Sequence, residues 1–182
     1  MRSMKRKTIV MTDAEGYVTT FTYDAMDRVV TMTDAKGGVT RYTYTDRGEV
    51  ATKTDAEGYV TSYEYDGNGN LVSKTDPDGY TTEYTYNALD LATKINYNDA
   101  KEVSYRYNKT GDLVSMTDWL GMTTFELDLL HQMTAATDHA GKRVEYTYDG
   151  VGNQTSICSS LASIAVTFLY CFTDLELRNA RL

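Results

Sequence analysis

The sequence predicts an all-β protein: tandem β-hairpin repeats of about 21 residues that pair into a twisted, curling antiparallel sheet. Three observations carry this reading. The first is composition: 16 Tyr stand against 4 Phe, 1 Trp and 1 Pro in 182 residues. Tyr and Thr suit a pleated, half-buried surface, and the abundant Asp, Asn and Gly supply turns. The second is an aromatic–acid step at Tyr23-Asp24, Tyr65-Asp66 and Tyr148-Asp149. The same place is held by Tyr44-Thr45, Tyr86-Asn87, Tyr107-Asn108 and Leu127-Asp128, with spacings of 21, 21, 21, 21, 20 and 21. The third is a Thr-Asp step in the same register, at Thr12-Asp13, Thr33-Asp34, Thr54-Asp55, Thr75-Asp76, Thr117-Asp118 and Thr137-Asp138. Its missing copy falls at Asn96-Tyr97.

The elements follow in chain order. Lys7 to Asp13 matches the returning strand of the next unit, Arg28 to Asp34, so the array opens on a half unit. Residues 55–76 show one complete unit. Asp55-Ala56-Glu57-Gly58 forms a turn, with Gly free to adopt positive φ. Tyr59 to Tyr65 alternates, placing Tyr59, Thr61, Tyr63 and Tyr65 on one face and Val60, Ser62 and Glu64 on the other. Asp66-Gly67-Asn68-Gly69 forms the second turn, and Asn70 to Thr75 returns. Strands of roughly six to seven residues are expected. The one short repeat loses a residue between Gly121 and Leu127. About seven units fill residues 7–156, and 157–182 read as a divergent C-terminal tail without the aromatic–acid step or a Gly turn.

A lone hairpin is marginal in water, so the units must pair edge to edge. The outermost strands then remain open edges, and self-association through them is expected. The net charge of -8 and pI near 4.7 argue against a nucleic-acid partner, which needs a basic face. Cys158 and Cys171 lie beyond the Tyr-rich body, so no disulfide framework holds the array together. The basic N-terminus is not followed by an apolar run, so no ordinary signal peptide is visible. The uncharged stretch 157–172 is shorter than a membrane span requires.

Segments such as Gly58–Asp76 (GYVTSYEYDGNGNLVSKTD) resemble the Rhs/YD repeat, whose form is roughly Tyr-Asp-x-x-Gly-[Asn/Arg]-Leu, then Thr-Asp and Gly. Tyr65-Asp66…Gly69-Asn70-Leu71 fits fully. Tyr107-Asn108…Gly111-Asp112-Leu113 fits with one change, Tyr148-Asp149…Gly152-Asn153 fits at its start, and Tyr44…Gly48 keeps the Tyr and Gly. Tyr23…Asp27-Arg28 and Tyr86…Asp90-Leu91 have lost the glycine, and Leu127 with His131 marks the most eroded copy. The resemblance implies a segment of a YD shell, a sheet that spirals into a hollow wall. In Rhs proteins and the toxin-complex C component such a shell encloses a C-terminal toxin. Related arrays occur in wall-associated bacterial proteins and in teneurins, where they serve cell-surface contact and glycan binding. Type VI delivery and a secreted or cell-surface location are also implied by resemblance. The family's Asp-Pro-x-Gly-Leu self-cleavage segment is absent from this sequence, so no catalytic residues carry over.

The chemistry of the side chains points the same way. A glycosidase needs two carboxyl groups at a defined separation with divergent pKa values. An Asp that recurs in every unit is instead a turn former. The Asp-x-x-Gly turns at Asp13, Asp34, Asp55, Asp76, Asp118 and Asp138 could offer oxygen ligands to calcium, but their spacing matches neither an EF-hand loop nor the Gly-Gly-x-Gly-x-Asp nonapeptide. Asx-turns account for them. His131, His139 and Cys158 lack the paired spacings of a zinc site. No catalytic, cofactor or metal residue is therefore assigned. Tyr23, Tyr44, Tyr65, Tyr86, Tyr107 and Tyr148 are expected to pack between hairpins. Tyr17, Tyr59 and Tyr80 follow the Gly turns and are the candidate glycan contacts. The expected function is a non-catalytic shell module that encloses or presents a C-terminal toxin in intercellular competition. A surface glycan-binding module and a truncated remnant without activity are the alternatives.

Overall fold

The computed structural model describes residues 7–97, 101–163 and 166–173. It divides into two compact units, Met1–Tyr84 and Thr85–Leu182. In the first, β1 (Thr8–Thr12), β2 (Val18–Tyr23), β3 (Val29–Thr33), β4 (Val39–Tyr44), β5 (Val50–Thr54), β6 (Val60–Tyr65) and β7 (Leu71–Thr75) lie side by side in chain order. β8 (Thr81–Tyr86) pairs with β7 and carries the boundary between the units. In the second, β9 (Ala92–Tyr97), β10 (Glu102–Tyr107), β11 (Leu113–Thr117), β12 (Met122–Leu127), β13 (Met133–Thr137) and β14 (Arg143–Tyr148) continue in the same manner. β15 (Gln154–Ser163) and β16 (Val166–Thr173) close the order, so strand pairing runs beyond residue 156. Every described pairing is antiparallel between chain neighbours, as hairpins require.

Most strands of the array are five or six residues, shorter than the alternation alone predicts, because each turn claims five. Both turns of a unit are built alike. At the YD turn, the Asp66 N–H donates to the Asn70 carbonyl at 2.9 Å and the Gly69 N–H donates to the Asp66 carbonyl at 3.2 Å. Asp66 Oδ1 accepts from the Asn68 and Asn70 N–H groups at 2.9 Å each. At the Thr-Asp turn, Asp55 Oδ1 accepts in the same way from Glu57 and Tyr59, at 3.1 and 2.9 Å. Tyr59 therefore belongs to the turn rather than to the strand. The acidic residue replaces backbone partners that a tight turn cannot provide.

The fourth residue of each YD turn is left-handed. Gly48, Gly69, Gly111 and Gly152 hold φ near 90°, and Asp27, Asp90 and His131 hold 58°, 56° and 62°. Asp and His are among the side chains that tolerate this region. The copies without glycine thus keep the same turn.

One asymmetry separates the two turns. After the YD turn the register slips by one: Tyr65 faces Leu71, yet Glu64 faces Ser73, leaving Val72 as a bulge. The same slip recurs at Tyr23, Tyr44, Tyr107, Leu127 and Tyr148. The Thr-Asp turn has the same hydrogen bonds and a left-handed glycine at the same place, yet its flanking strands pair without a slip, so the bulge lies in the return strand and not in the turn; it increases local twist. No thick core forms among the described residues. Among the described residues only Val103, Ala135 and Ser115 are buried, and the strands are otherwise half-buried or exposed.

Candidate functional site

The recurring Tyr of the YD step joins its hairpin to the one before it at four places. The Tyr44 hydroxyl donates to the Val29 carbonyl at 2.5 Å, and Tyr65 to Val50 at 3.0 Å. Tyr107 donates to Ala92 and Tyr148 to Met133, both at 2.8 Å. Each acceptor lies fifteen residues upstream, at the first position of the preceding return strand or its equivalent. Partial burial raises the pKa of Tyr44 and Tyr65, which keeps these phenols protonated as donors. The Arg28 guanidinium stands 4.5 Å above the Tyr44 ring, and the Lys7 amine 5.4 Å from the Tyr23 ring.

A second set of contacts runs along the YD turn tips. The fifth residue of one turn reaches the left-handed residue of the next. Where that residue is glycine, the neighbour lies directly over it: Arg28 over Gly48, Glu49 over Gly69, Leu91 over Gly111, Gln132 over Gly152. Where it carries a side chain, the neighbour pairs with it. Lys7 Nζ bridges to Asp27 at 3.1 Å, and His131 Nδ1 lies 2.8 and 2.9 Å from the two oxygens of Asp112.

The Asp112–His131 pair borders a recess of about 410 Å³. Val114, Phe125 and Leu127 form its apolar wall, and Asn108, Thr110 and Asp112 its polar side. The Thr110 hydroxyl, the Asn108 amide and His131 all hold the Asp112 carboxylate, in that order of effect, and its pKa falls to about 2. Leu127 occupies the place of the YD tyrosine and has no hydroxyl. The sequence marked this copy as eroded; the recess and the Asp112 partnership become visible only when neighbouring hairpins are set side by side.

The candidate glycan contacts lie on the opposite, Thr-Asp ends of the strands in the first unit. Tyr17, Tyr59 and Tyr80 are 63%, 60% and 57% exposed, enough to present a ring face. A smaller recess of about 220 Å³ lies beside Tyr17, against Met11, Thr19 and Phe21. The corresponding residue is missing from the short turn Asp118–Gly121, which is where the lost residue of that repeat belongs. Gly121 is obligatory there: a Cβ would meet the His139 Cβ at 2.6 Å, and φ is 138°. On the same turn Trp119 and Leu120 are exposed, with Lys101 5.5 Å from the Trp119 ring.

The remaining chemically interesting residues stay apart. His139 packs against Gly121, away from the Asp112–His131 pair. Cys158 is disulfide-bonded and faces Cys171 in the β15–β16 register. Among the described residues no group of three or more His, Cys, Asp or Glu could hold a metal ion. No helix among them is long and apolar enough to cross a membrane. The turn carboxylates of Asp13, Asp34, Asp55 and Asp138 accept from the N–H groups of their own turns.

Several toxin-complex structures share this fold. A TcdB2-TccC3-Cdc42 crystal structure matches with a TM-score of 0.73 at 21% identity, over 88% of this chain and 10% of that one. TcdB2-TccC3 without its hypervariable C-terminal region matches with a TM-score of 0.74 at 20% identity, over the same shares. A Tc holotoxin pore from Photorhabdus luminescens matches with a TM-score of 0.73 at 22% identity, again over 88% and 10%. The chain thus spans about a tenth of the chains it resembles. No curated protein matches it in sequence. The family model described as Teneurin YD-shell matches residues 1–179, and with the hydroxyl-to-carbonyl contacts repeated between hairpins this places the chain in the Teneurin YD-shell family, as a structural shell module.

Proposed function

We propose that the chain is a non-catalytic stretch of an Rhs-type shell wall that encloses or presents a C-terminal toxin. The observation that carries this reading is the Tyr-to-carbonyl contact, which recurs with the repeat and builds a wall rather than a unique reactive site. The recurring turn carboxylates are engaged by their own backbone, which leaves them poorly suited to paired acid–base chemistry. The similar structures are named for toxin complexes and a holotoxin pore, which favours a toxin cargo over other contents. The partners are then the rest of the shell and the toxin, with a secreted or surface location. Open sheet edges also favour self-association when the chain stands alone. The test is an immunoblot of fractionated source cells and medium with an antibody to the repeats. A band much larger than 20.4 kDa that co-purifies with a protease-protected C-terminal fragment supports the reading. A lone band at 20.4 kDa with no such fragment overturns it in favour of a remnant or a small adhesion module.

A second reading rests on Tyr17, Tyr59 and Tyr80, whose exposed rings suit stacking on sugar faces. Binding on a glycan array that is lost when all three become Ala supports a surface glycan-binding role. Absence of binding removes it.

A further inference from the structure

The recess beside Asp112 has an origin that also defines its occupant. In the hairpins to either side, a tyrosine ring fills the space between neighbours and its hydroxyl reaches the first carbonyl of the preceding return strand: Tyr107 to Ala92, Tyr148 to Met133. The register of β12 against β11 is that of the other hairpins once the shortened turn is passed, since Thr117 faces Met122 as Thr33 faces Val39. By that register Leu127 takes the place of those tyrosines, and Leu113, the first residue of its return strand, takes the place of their acceptor residues. The wall residues Val114 and Phe125 remain in place around the missing ring.

We infer that this recess is a binding site for a neutral phenolic ring, seated against Phe125, Val114 and Leu127 with its hydroxyl toward the Leu113 carbonyl. The inference does not depend on the shell carrying a toxin. The site is apolar on one side and has a few fixed polar groups on the other, as ligand recesses of this size commonly do. Charge sets a further selectivity. Asp112 remains ionised at neutral pH, so an anionic aromatic is repelled while a phenol finds acceptors at the rim. The ring can arrive as a free small phenol or as a tyrosine side chain of another polypeptide.

The test uses the full chain and three probes, 4-methylphenol, N-acetyltyrosinamide and benzoate, followed by NMR signals of the His131 ring. With 4-methylphenol the expected result is saturable shifts and a dissociation constant of about 1 mM, typical of a small ligand. Benzoate is expected to leave the signals unmoved. N-acetyltyrosinamide separates the sources: binding supports a polypeptide tyrosine, and binding of 4-methylphenol alone supports a free phenol. Leu127→Tyr supplies the ring covalently and is expected to abolish 4-methylphenol binding while the chain melts at an equal or higher temperature. No saturable binding by the native chain, or undiminished binding by Leu127→Tyr, overturns the inference. So does a Leu127→Tyr chain that fails to fold, because the recess would then have no room for the ring.

Discussion

The Tyr65 hydroxyl donates to the Val50 carbonyl at 3.0 Å, across the seam between two hairpins that are also joined by their strand ladder and, at the turn tips, by Arg47 bonds to the Asp66 and Gly67 carbonyls. Removing the oxygen alone isolates this contact. Tyr65→Phe is expected to destabilise the chain by about 1 kcal/mol, the usual worth of a neutral hydrogen bond. Tyr59→Phe, on an exposed ring, should change stability by less than about 0.5 kcal/mol. Urea unfolding of the two variants side by side checks the difference.

The YD turn can be tested through Asp66, whose Oδ1 accepts from two backbone N–H groups. Asn87 and Asn108 do the same in their own turns. Asp66→Asn keeps these two bonds but loses the charge and the Oδ2 acceptor used by Asn70 Nδ2 at 3.0 Å, so it should lower the melting temperature less than Asp66→Ala, which strands all three donors. Equal losses in thermal melts would show that charge, not acceptor geometry, matters at this turn.

Glycine positions separate by space. Gly121→Ala drives a methyl group into His139 at a backbone angle that L residues avoid, and a loss of about 2 kcal/mol or more is expected. Gly67 has open space around it and no positive φ, so Gly67→Ala should be tolerated. Melting temperatures of both variants provide the check.

Acid sensitivity follows from the depressed carboxylates. The Arg28 backbone N–H lowers Asp24, the Asn70 amide lowers Asp66 and the Asn153 amide lowers Asp149. A group whose pKa is lower in the folded state contributes its full stabilisation above the unfolded value and loses it as pH falls through the folded one. For Asp112 that window runs from the ordinary 3.8 down to about 2. The melting temperature should hold above this window and drop within it. His131→Ala should narrow the window by raising the Asp112 pKa, as a ¹³C titration of the Asp112 carboxyl would show.

Much of this arrangement was legible in the residues. The period, both turns and the tyrosine face follow from spacing, because Asp, Gly and Tyr each have a local reason to stand where they do. That these tyrosines pack between hairpins was also legible, but the atoms they reach were not. A repeat shows what recurs but not how one copy is phased against the next, so the fifteen-residue reach of Tyr65 to Val50 and the Asp112–His131 pairing require coordinates. Asp27, Asp90 and His131 looked like losses of a glycine, yet their backbones stay left-handed, since Asp and His tolerate the conformation. The bulge at Val72 was hidden for a different reason: alternation reads through a single extra residue when both of its neighbours are compatible with a strand.

The tyrosine seam also bears on inheritance. A unit that keeps the YD tyrosine brings its own phenol and, at the start of its own return strand, the carbonyl that the next phenol will seek. A gene duplication that copies one whole unit therefore delivers a matched pair of fittings, and neither flanking hairpin needs to change to receive it. Such a wall can lengthen or shorten by recombination between near-identical repeats, while a break elsewhere in the unit would separate a hydroxyl from its acceptor.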